Sequence, residues 1–141
     1  MALLFDTNVL IYAYDPGSPY HAWAEATLFQ ALSGKGAAIN PVILAELCVG
    51  EMDPETVPER LVHLGMLFLD LPCSAARRAA ESFAMHLDKR KAAGVEPSSK
   101  VPLPDFFIGA HAELIGLPLA TVDVSRYQTY FPKVDLVTPF P

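Results

Sequence analysis

Four acidic residues stand beside segments that are otherwise almost entirely apolar. Asp6 ends the run LLFD and Glu46 interrupts VILAELCV. Asp105 opens DFFIGAHA and Asp123 follows PLATV. Carboxylates are rarely buried unless they are paired or ligate a cation. Two such charges about 4 Å apart repel by roughly 4 kcal/mol at an effective dielectric near 20, so converging acids need a counter-charge. The pattern predicts a metal-binding pocket.

Three of the four acids also have a purely structural interpretation. Asp6 and Asp105 are placed to cap a following helix, and Asp123 is placed to form a turn. Glu46 fits neither role, because its neighbours leave the helix apolar almost all round and therefore predict burial. An ionised Glu there needs a cation or an arginine partner. We favour the cation, because the other acids offer companion ligands.

The residue types around the acids indicate which metal. Oxygen ligands suit Mg²⁺ or Mn²⁺, whereas Zn²⁺ recruits His or Cys, and neither residue type clusters with these acids. Thr121 shares one side of its strand with Asp123, so its hydroxyl is placed to orient a carboxylate or a water molecule. Asn8 is interpreted as a helix cap or a supporting group.

Two further residues are excluded from the predicted pocket. His111 falls on a different helix face from Asp105, which indicates a packing or surface histidine. Asp70 follows the apolar run LFL in the same manner as the predicted ligands, but no other acidic motif accompanies it.

The segments that carry the acids alternate between short β-like and helical runs. This alternation predicts the α/β class, a parallel sheet covered by helices on both faces. At the carboxyl edge of such a sheet, where ligands bind, Asp6 should emerge. The predicted strands are Ala2–Phe5, Ala37–Ile39, Met66–Leu69, Leu117–Val122 and Val134–Val137.

Helix boundaries are marked by proline and glycine. A polar residue followed by proline predicts a helix start at Ser18-Pro19, Asn40-Pro41 and Asp53-Pro54. One helix is expected from Pro19 to Ser33, with Gly34 as a left-handed exit, and another from Ser74 to Ala93, ending at Gly94. The segment GVEPSSKVPLP at 94–104 predicts an irregular surface loop.

Length and composition suit one domain, 1–141. The hydrophobic content of 52% and the mean hydropathy of +0.29 exceed what a small sphere easily hides, which predicts an oligomer or a partner groove. No uncharged apolar run reaches the roughly 18 residues of a membrane span, and no signal-peptide pattern opens the chain. Two cysteines form no disulfide framework, so a cytoplasmic location is expected.

The net charge of −6 argues against a general nucleic-acid coat, which needs Lys and Arg. It does not exclude a nuclease, because bound divalent ions would offset the charge and attract phosphate. The basic residues concentrate in one region and predict either an RNA-facing stripe or the solvated face of a helix. They are Arg77, Arg78, Lys89, Arg90, Lys91 and Lys100.

Over its whole length the chain resembles the PIN-domain ribonucleases, and within them the VapC-like toxins of toxin–antitoxin pairs. The resemblance is carried by LLFDTNVLIYAYD, INPVILAEL, PLPDFFIGAHAELIGLPLATVD and RYQTYFP in this order. It implies a three-layer α/β/α sandwich with a parallel five-stranded sheet. It also implies one or two Mg²⁺ or Mn²⁺ ions among Asp6, Glu46, Asp105 and Asp123, with Asn8 and Thr121 in support.

The same resemblance implies endonucleolytic cleavage of RNA by metal-activated water. It further implies a homodimer neutralised by a small VapB-like antitoxin, whose helix and tail occupy a groove near the active site. Two departures from relatives stand out. Val122 replaces a residue that is often basic or polar, a loss for which Arg126 can compensate. Ser125 stands where some relatives carry a fifth acid, so the number of ions stays open.

Two alternatives compete with the ribonuclease interpretation. A receiver-like signalling domain also has an acidic pocket at a sheet edge, and Asp70 with Thr121 would imitate its phosphorylation site. The second acid expected beside Asp6 is absent, however, and Lys133 precedes the last strand instead of ending it. The other alternative is a PIN-like module that binds RNA or protein without cleaving it, which the presence of all four acids disfavours.

Overall fold

The computed structural model describes residues 1–49, 51, 53–94 and 103–141. Strands and helices alternate along these residues, as the sequence predicts. The elements are β1 (Leu3–Phe5), α1 (Thr7–Ala13), α2 (His21–Ser33), β2 (Ala37–Ile39), α3 (Pro41–Cys48), α4 (Thr56–Leu64), β3 (Leu67–Phe68), α5 (Ser74–Ala92), α6 (Leu103–Ile115), β4 (Leu119–Ala120), α7 (Val124–Tyr130) and β5 (Leu136–Val137).

The five strands form one sheet in the order β3-β2-β1-β4-β5, and every pairing is parallel. The central strand, β1, places Leu4 opposite Ala38 on one side and Leu119 on the other. Leu4 and Phe5 are both 0% exposed. Since successive strand residues point to opposite faces, both faces of the sheet are covered. The predicted α/β/α sandwich is confirmed.

The strand order also bears on the receiver-like alternative. In that fold β1 lies between β2 and β3, in the order 2-1-3-4-5. Here β1 lies between β2 and β4, and β3 is at the edge. Asp70, which would accept the phosphoryl group, is exposed beyond that edge strand. The receiver-like interpretation is therefore wrong.

The edge strand β3 departs from the predicted burial. Leu67 and Phe68 are 45% and 43% exposed, although strands covered on both faces were expected. An edge strand has a neighbour on one side only, which in this sheet is β2, so less of its surface is covered. A run of apolar residues does not reveal its position in the sheet.

The predicted helix starts are confirmed at Asn40 alone. Its side-chain Oδ1 accepts a hydrogen bond from the Ile43 N–H at 3.0 Å, with Pro41 in the first turn. At Ser18 the hydroxyl accepts the N–H of the residue two positions on at 3.1 Å, and α2 starts only at His21. At Asp53 the backbone carbonyl accepts a threonine hydroxyl at 2.9 Å. A polar residue before proline specifies a turn as readily as a cap.

Two glycine predictions fail for steric and conformational reasons. Gly34 has φ −117° and is not left-handed; the positive φ falls at Gly36, 111°, before β2. In the sequence, Gly109 lies one helical turn after Asp105 on the same face, which predicts open space beside that carboxylate. Instead the Phe131 ring fills it, and a Cβ on Gly109 would lie 2.3 Å from the ring's Cδ2. This glycine lets the C-terminal end of α7 pack directly on α6.

The predicted end of the long helix agrees with α5, which ends at Ala92. Most of the loop predicted at 94–104 lies outside the described residues. Where the two overlap, Leu103 and Pro104 already belong to α6, because proline is tolerated in a first helical turn. Within the described residues, no helix is long and apolar enough to cross a membrane.

Candidate active site

Asp6 lies at the carboxyl end of the central strand, and its side chain is only 5% exposed. Its Oδ1 accepts a hydrogen bond from the Thr7 N–H at 2.9 Å, which makes it the N-cap of α1. Its Oδ2 accepts a hydrogen bond from the Thr121 hydroxyl at 2.8 Å. Asp6 therefore caps α1, the structural role that the sequence suggested, and the same carboxylate is also bound by Thr121 at the carboxyl edge of the sheet.

Thr121 connects the two central strands at this edge. It is fully buried, follows β4, and donates its hydroxyl to Asp6. The same hydroxyl oxygen accepts the Asp123 N–H at 3.0 Å, which fixes the backbone at the start of α7. The predicted orienting role thus falls on the Asp6 carboxylate, whereas Asp123 is held through its backbone.

Glu46 is held by a residue that the sequence interpretation missed. The Thr7 hydroxyl donates to Glu46 Oε1 at 2.7 Å, and Thr7 is only 6% exposed. The predicted full burial of α3 is wrong: Ile43 is its one buried residue, and Glu46 is half-buried. Apolar residues surround this helix because it borders an open groove, and Val49, just beyond it, is 80% exposed.

Asp105 and Asp123 form the outer part of the pocket together with Arg126. Asp105 is the third residue of α6, so it does not cap that helix as the structural interpretation proposed. The Arg126 Nη1 donates to Asp105 Oδ2 and lies 3.0 Å from Asp123 Oδ2. Side-chain exposures are 20% for Asp105, 40% for Asp123 and 25% for Arg126. Arg126 therefore acts as a counter-ion between two predicted ligands.

The four acids share one electrostatic neighbourhood. The pKa of Asp6 is raised from 3.8 to about 7, mainly by burial, with smaller contributions from the charges of Asp105 and then Glu46. Hydrogen bonds from Thr121 and Thr7 act in the opposite direction. Burial also raises the pKa of Asp105, with Arg126 opposing it and Glu46 and Asp123 adding to it. The sequence-predicted acids are thus brought to one edge of the sheet.

Their side chains engage protein partners rather than one common point. Within the described ranges, no group of three or more His, Cys, Asp and Glu side chains is arranged to hold a metal ion. Glu46 is directed to Thr7, while Asp105 and Asp123 are directed to Arg126. The donor set is all oxygen, the chemistry that Mg²⁺ and Mn²⁺ prefer.

Asp6 gives the clearest test of whether a cation suits this pocket. Among the described residues it has no ion-pair partner, although its burial disfavours the charged carboxylate. A divalent cation would supply the missing positive charge. The residues present therefore fit such an ion, held by Asp6 with Asp105, Asp123 and Glu46.

The other residues named from the sequence differ in their exposure to solvent. Asn8 is exposed on α1. Val122 is half-buried and Ser125 exposed, beside the Arg126 pairs. His111 is buried, and its Nδ1 lies 3.1 Å from the Asn40 Nδ2, so its predicted packing role is confirmed.

The basic residues do not form one stripe. Arg77 pairs with Glu81 on the exposed face of α5, whereas Arg78 binds Glu113 and the Tyr130 carbonyl and so joins α5 to α6 and α7. Burial lowers the pKa of His86, and Arg126, Arg90 and Lys89 lower it further, so these three cations share the surroundings of His86. Lys91 is exposed, and Lys100 lies outside the described residues.

A parallel α/β/α sandwich with buried carboxylates at the edge of its central strands defines the class of protein. The model of the PIN domain matches residues 3–132, and the chain therefore belongs to the PIN domain family. The family resemblance predicted from the sequence is confirmed. A comparison with curated proteins finds no match.

Solved structures share this fold over almost the whole chain. A toxin–antitoxin complex from Klebsiella pneumoniae is 24% identical, with 99% of this chain and 98% of that chain covered and a TM-score of 0.63. DNA-bound VapBC from Salmonella typhimurium is 18% identical, with 98% of each chain covered and a TM-score of 0.65. FitAcB from Neisseria gonorrhoeae is 20% identical, with 97% of each covered and a TM-score of 0.60. At this identity the likeness establishes the fold.

Proposed function

We propose that this PIN-domain protein is a Mg²⁺- or Mn²⁺-dependent endoribonuclease, the toxin of a toxin–antitoxin pair. The observation that carries the proposal is the buried Asp6 carboxylate without a positive partner among the described residues, surrounded by three further acids on the ligand-binding edge of the sheet. We also propose that 1–141 acts as one domain in the cytoplasm. One sheet with strands from both ends of the chain supports the first point, and two free cysteines support the second.

A bound Mg²⁺ or Mn²⁺ would supply Lewis-acid chemistry, activating water and stabilising charge on the phosphate. Hydrogen bonds within the chain hold two of the proposed ligands in place before a metal ion binds. Thr121 and the Thr7 N–H hold both oxygens of Asp6, and the Thr7 hydroxyl holds Glu46. Hydrogen-bond donors of this kind keep carboxylates in place. Their removal typically lowers metal affinity or activity by roughly 10- to 100-fold.

RNA is the proposed substrate because basic residues gather around His86 on the side of Arg126. Arg126 pairs with two of the acids, and Arg90 and Lys89 act with it on His86, so we propose that these cations contact the phosphate backbone. The single-stranded RNAs that such a surface binds are not restricted to one sequence, since phosphate contacts carry no base information. Arg126 has a second consequence, because its pairs with two acids would compete with a metal ion.

That competition gives a specific reason to test the non-cleaving alternative. Purified protein is incubated with labelled single-stranded RNA in Mn²⁺, Mg²⁺ or EDTA. Cleavage is expected with either metal and not with EDTA. Asp6→Asn should lose on the order of 100-fold in rate or more, at least the loss seen for an outer-shell partner.

Asp70→Asn is the matched control, because Asp70 is an exposed acid outside the pocket. It should cleave as the wild type does. Wild-type protein that binds RNA but leaves it intact in both metals would establish the non-cleaving alternative. Cleavage that persists in Asp6→Asn would reject this pocket as the active site.

We further propose that a VapB-like antitoxin binds the groove between α1, α3 and α4. The groove has a volume of about 520 Å³ and is lined by Leu10, Ile11, Leu47, Val49 and Leu61, with Glu46 at its border. An apolar face of an antitoxin helix fits such a lining, and the border at Glu46 would bring the partner beside the acids.

The exposed apolar residues outside the groove also support a homodimer, which sedimentation equilibrium would detect.

Two exposed valines test the groove. Val49→Asp places a charge in the groove, whereas Val62→Asp places one on α4 outside the groove lining; the wild-type residues are 80% and 62% exposed. Val49→Asp should keep its RNA cleavage but resist the cognate antitoxin in co-expression, and Val62→Asp should remain neutralised. Equal neutralisation of both variants would place the antitoxin elsewhere.

A further inference from the structure

Tyr127 is the buried polar side chain that the proposed function leaves unused. It lies in α7 four positions after Asp123, and residues at this spacing share a helix face. The residue is 0% exposed, and its hydroxyl has no hydrogen-bond partner among the described residues. A buried hydroxyl without a partner costs free energy on folding. Its presence at this position therefore needs an explanation.

The surroundings of this hydroxyl point to the acids. Burial raises the pKa of Tyr127 well above its ordinary value, and the charges of Asp6, Asp105 and Asp123 raise it further. These acids come from three different parts of the fold, at the end of β1, in α6 and before α7. The phenol is therefore a buried neutral donor that lies within electrostatic range of three acids but is bonded to none of them among the described residues.

Tyr130 in the same helix provides the contrast. It is 8% exposed, and its hydroxyl lies 3.0 Å from His86 Nδ1. Its hydrogen-bonding capacity is used on the side of α5. Both tyrosines are buried. The Tyr130 hydroxyl is bonded to His86, whereas the Tyr127 hydroxyl has no partner among the described residues.

We propose that Tyr127 is a positioning residue of the metal pocket. Its hydroxyl donates a hydrogen bond to an oxygen atom, of a carboxylate or of a water molecule, among Asp6, Asp105 and Asp123 when a divalent cation is held there. This inference rests on the proposed metal pocket and adds a donor from α7 to the supports that Thr7 and Thr121 provide.

The test measures Mn²⁺ binding without RNA, by electron paramagnetic resonance of free Mn²⁺. Tyr127→Phe should weaken the affinity by about tenfold, the lower end of the effect of removing an outer-shell partner. Its metal-free melting temperature should equal or exceed that of the wild type, because the removed hydroxyl has no partner in the described fold. Tyr130→Phe, the matched control, should bind Mn²⁺ as the wild type does.

A second measurement follows the tyrosine itself. Ultraviolet difference spectra during Mn²⁺ titration should show a tyrosine change in the wild type and in Tyr130→Phe that is missing in Tyr127→Phe. Unchanged Mn²⁺ affinity in Tyr127→Phe, or a tyrosine signal that persists in it, would overturn the inference. Wild-type protein that binds Mn²⁺ but fails to cleave RNA would instead reject the proposed function and leave the inference standing.

Discussion

The inner and outer parts of the acid pocket neutralise their carboxylates in different ways. In the inner part, Asp6 is 5% exposed and accepts two hydrogen bonds from neutral donors. In the outer part, Asp105 and Asp123 share the guanidinium of Arg126 and are more exposed. The same residue type therefore has a cationic partner on one side of the pocket and only uncharged donors on the other.

This difference indicates which carboxylates a metal ion would stabilise most. Hydrogen bonds from Thr121 and Thr7 lower the pKa of Asp6, but burial outweighs them and the pKa reaches about 7. A cation would satisfy Asp6 directly, whereas near Asp105 and Asp123 it must compete with Arg126. We expect the inner part to determine whether an ion binds and the outer part to adjust how tightly it binds.

The largest expected effect is on the stability of the metal-free protein as a function of pH. The pKa of Asp6 rises from 3.8 to about 7 on folding, so between these values the folded chain binds more protons than the unfolded chain. The free energy of unfolding should then fall as pH rises from about 4 to about 7, by on the order of 4 kcal/mol, since each pKa unit corresponds to about 1.4 kcal/mol.

Urea unfolding in EDTA across this pH range measures that effect. Asp6→Asn should remove most of the slope and be more stable than the wild type at pH values above the pKa. Asp123→Asn should retain the slope, because Asp123 belongs to the outer part. A wild-type slope in Asp6→Asn would show that the inner part is not distinguished by its burial.

An intermediate effect is expected for Thr121→Val, which keeps the side-chain shape and removes the hydroxyl. It leaves Asp6 Oδ2 and the Asp123 N–H without their partner, at a cost of about 1 to 3 kcal/mol in the free energy of unfolding. Thr129→Val is the control, because that exposed hydroxyl bonds only its own helix, at the Ser125 carbonyl. Equal stability of the two variants would contradict a structural link between the two parts.

The smallest expected effect is on metal affinity and comes from the outer part. Arg126→Gln removes the competing cation and should tighten Mn²⁺ binding at pH 8 by about fivefold, the factor that corresponds to a partly exposed ion pair worth about 1 kcal/mol. Arg60→Gln, which removes a surface pair with Glu51, should leave the affinity unchanged. Weaker binding in Arg126→Gln would mean that Arg126 supports the ion instead of competing with it.

The sequence predicted the pocket better than it predicted the pocket's supports. The acids were identifiable because a charged residue beside an apolar strand or helix needs an explanation. The partners of those acids were harder to find. Thr121 is 115 positions from Asp6 and Thr7 is 39 positions from Glu46, so only the packed sheet brings them into contact.

Predictions that depended on the position of an element in the fold failed more often. The apolar composition of α3 and β3 indicated burial, yet α3 borders a groove and β3 lies at the sheet edge. Hydrophobic composition predicts that a surface is shielded from water. It does not predict which neighbouring element or partner covers that surface. The apolar excess of the whole chain predicted an oligomer or a partner groove without reference to any one element; the structure has an apolar groove, and its occupant stays a proposal.

By itself, the sequence determined the α/β class and the family and predicted the four acids of the candidate pocket, since these follow from local patterns and charge. Only the tertiary structure decided that Arg126 neutralises Asp105 and Asp123 while Asp6 has neutral donors. It also buried the Tyr127 hydroxyl without a hydrogen-bond partner among the described residues. The physical reason is that hydrogen bonds and ion pairs depend on distances of a few ångströms between segments far apart in the chain, which are fixed when the sheet and its helices pack.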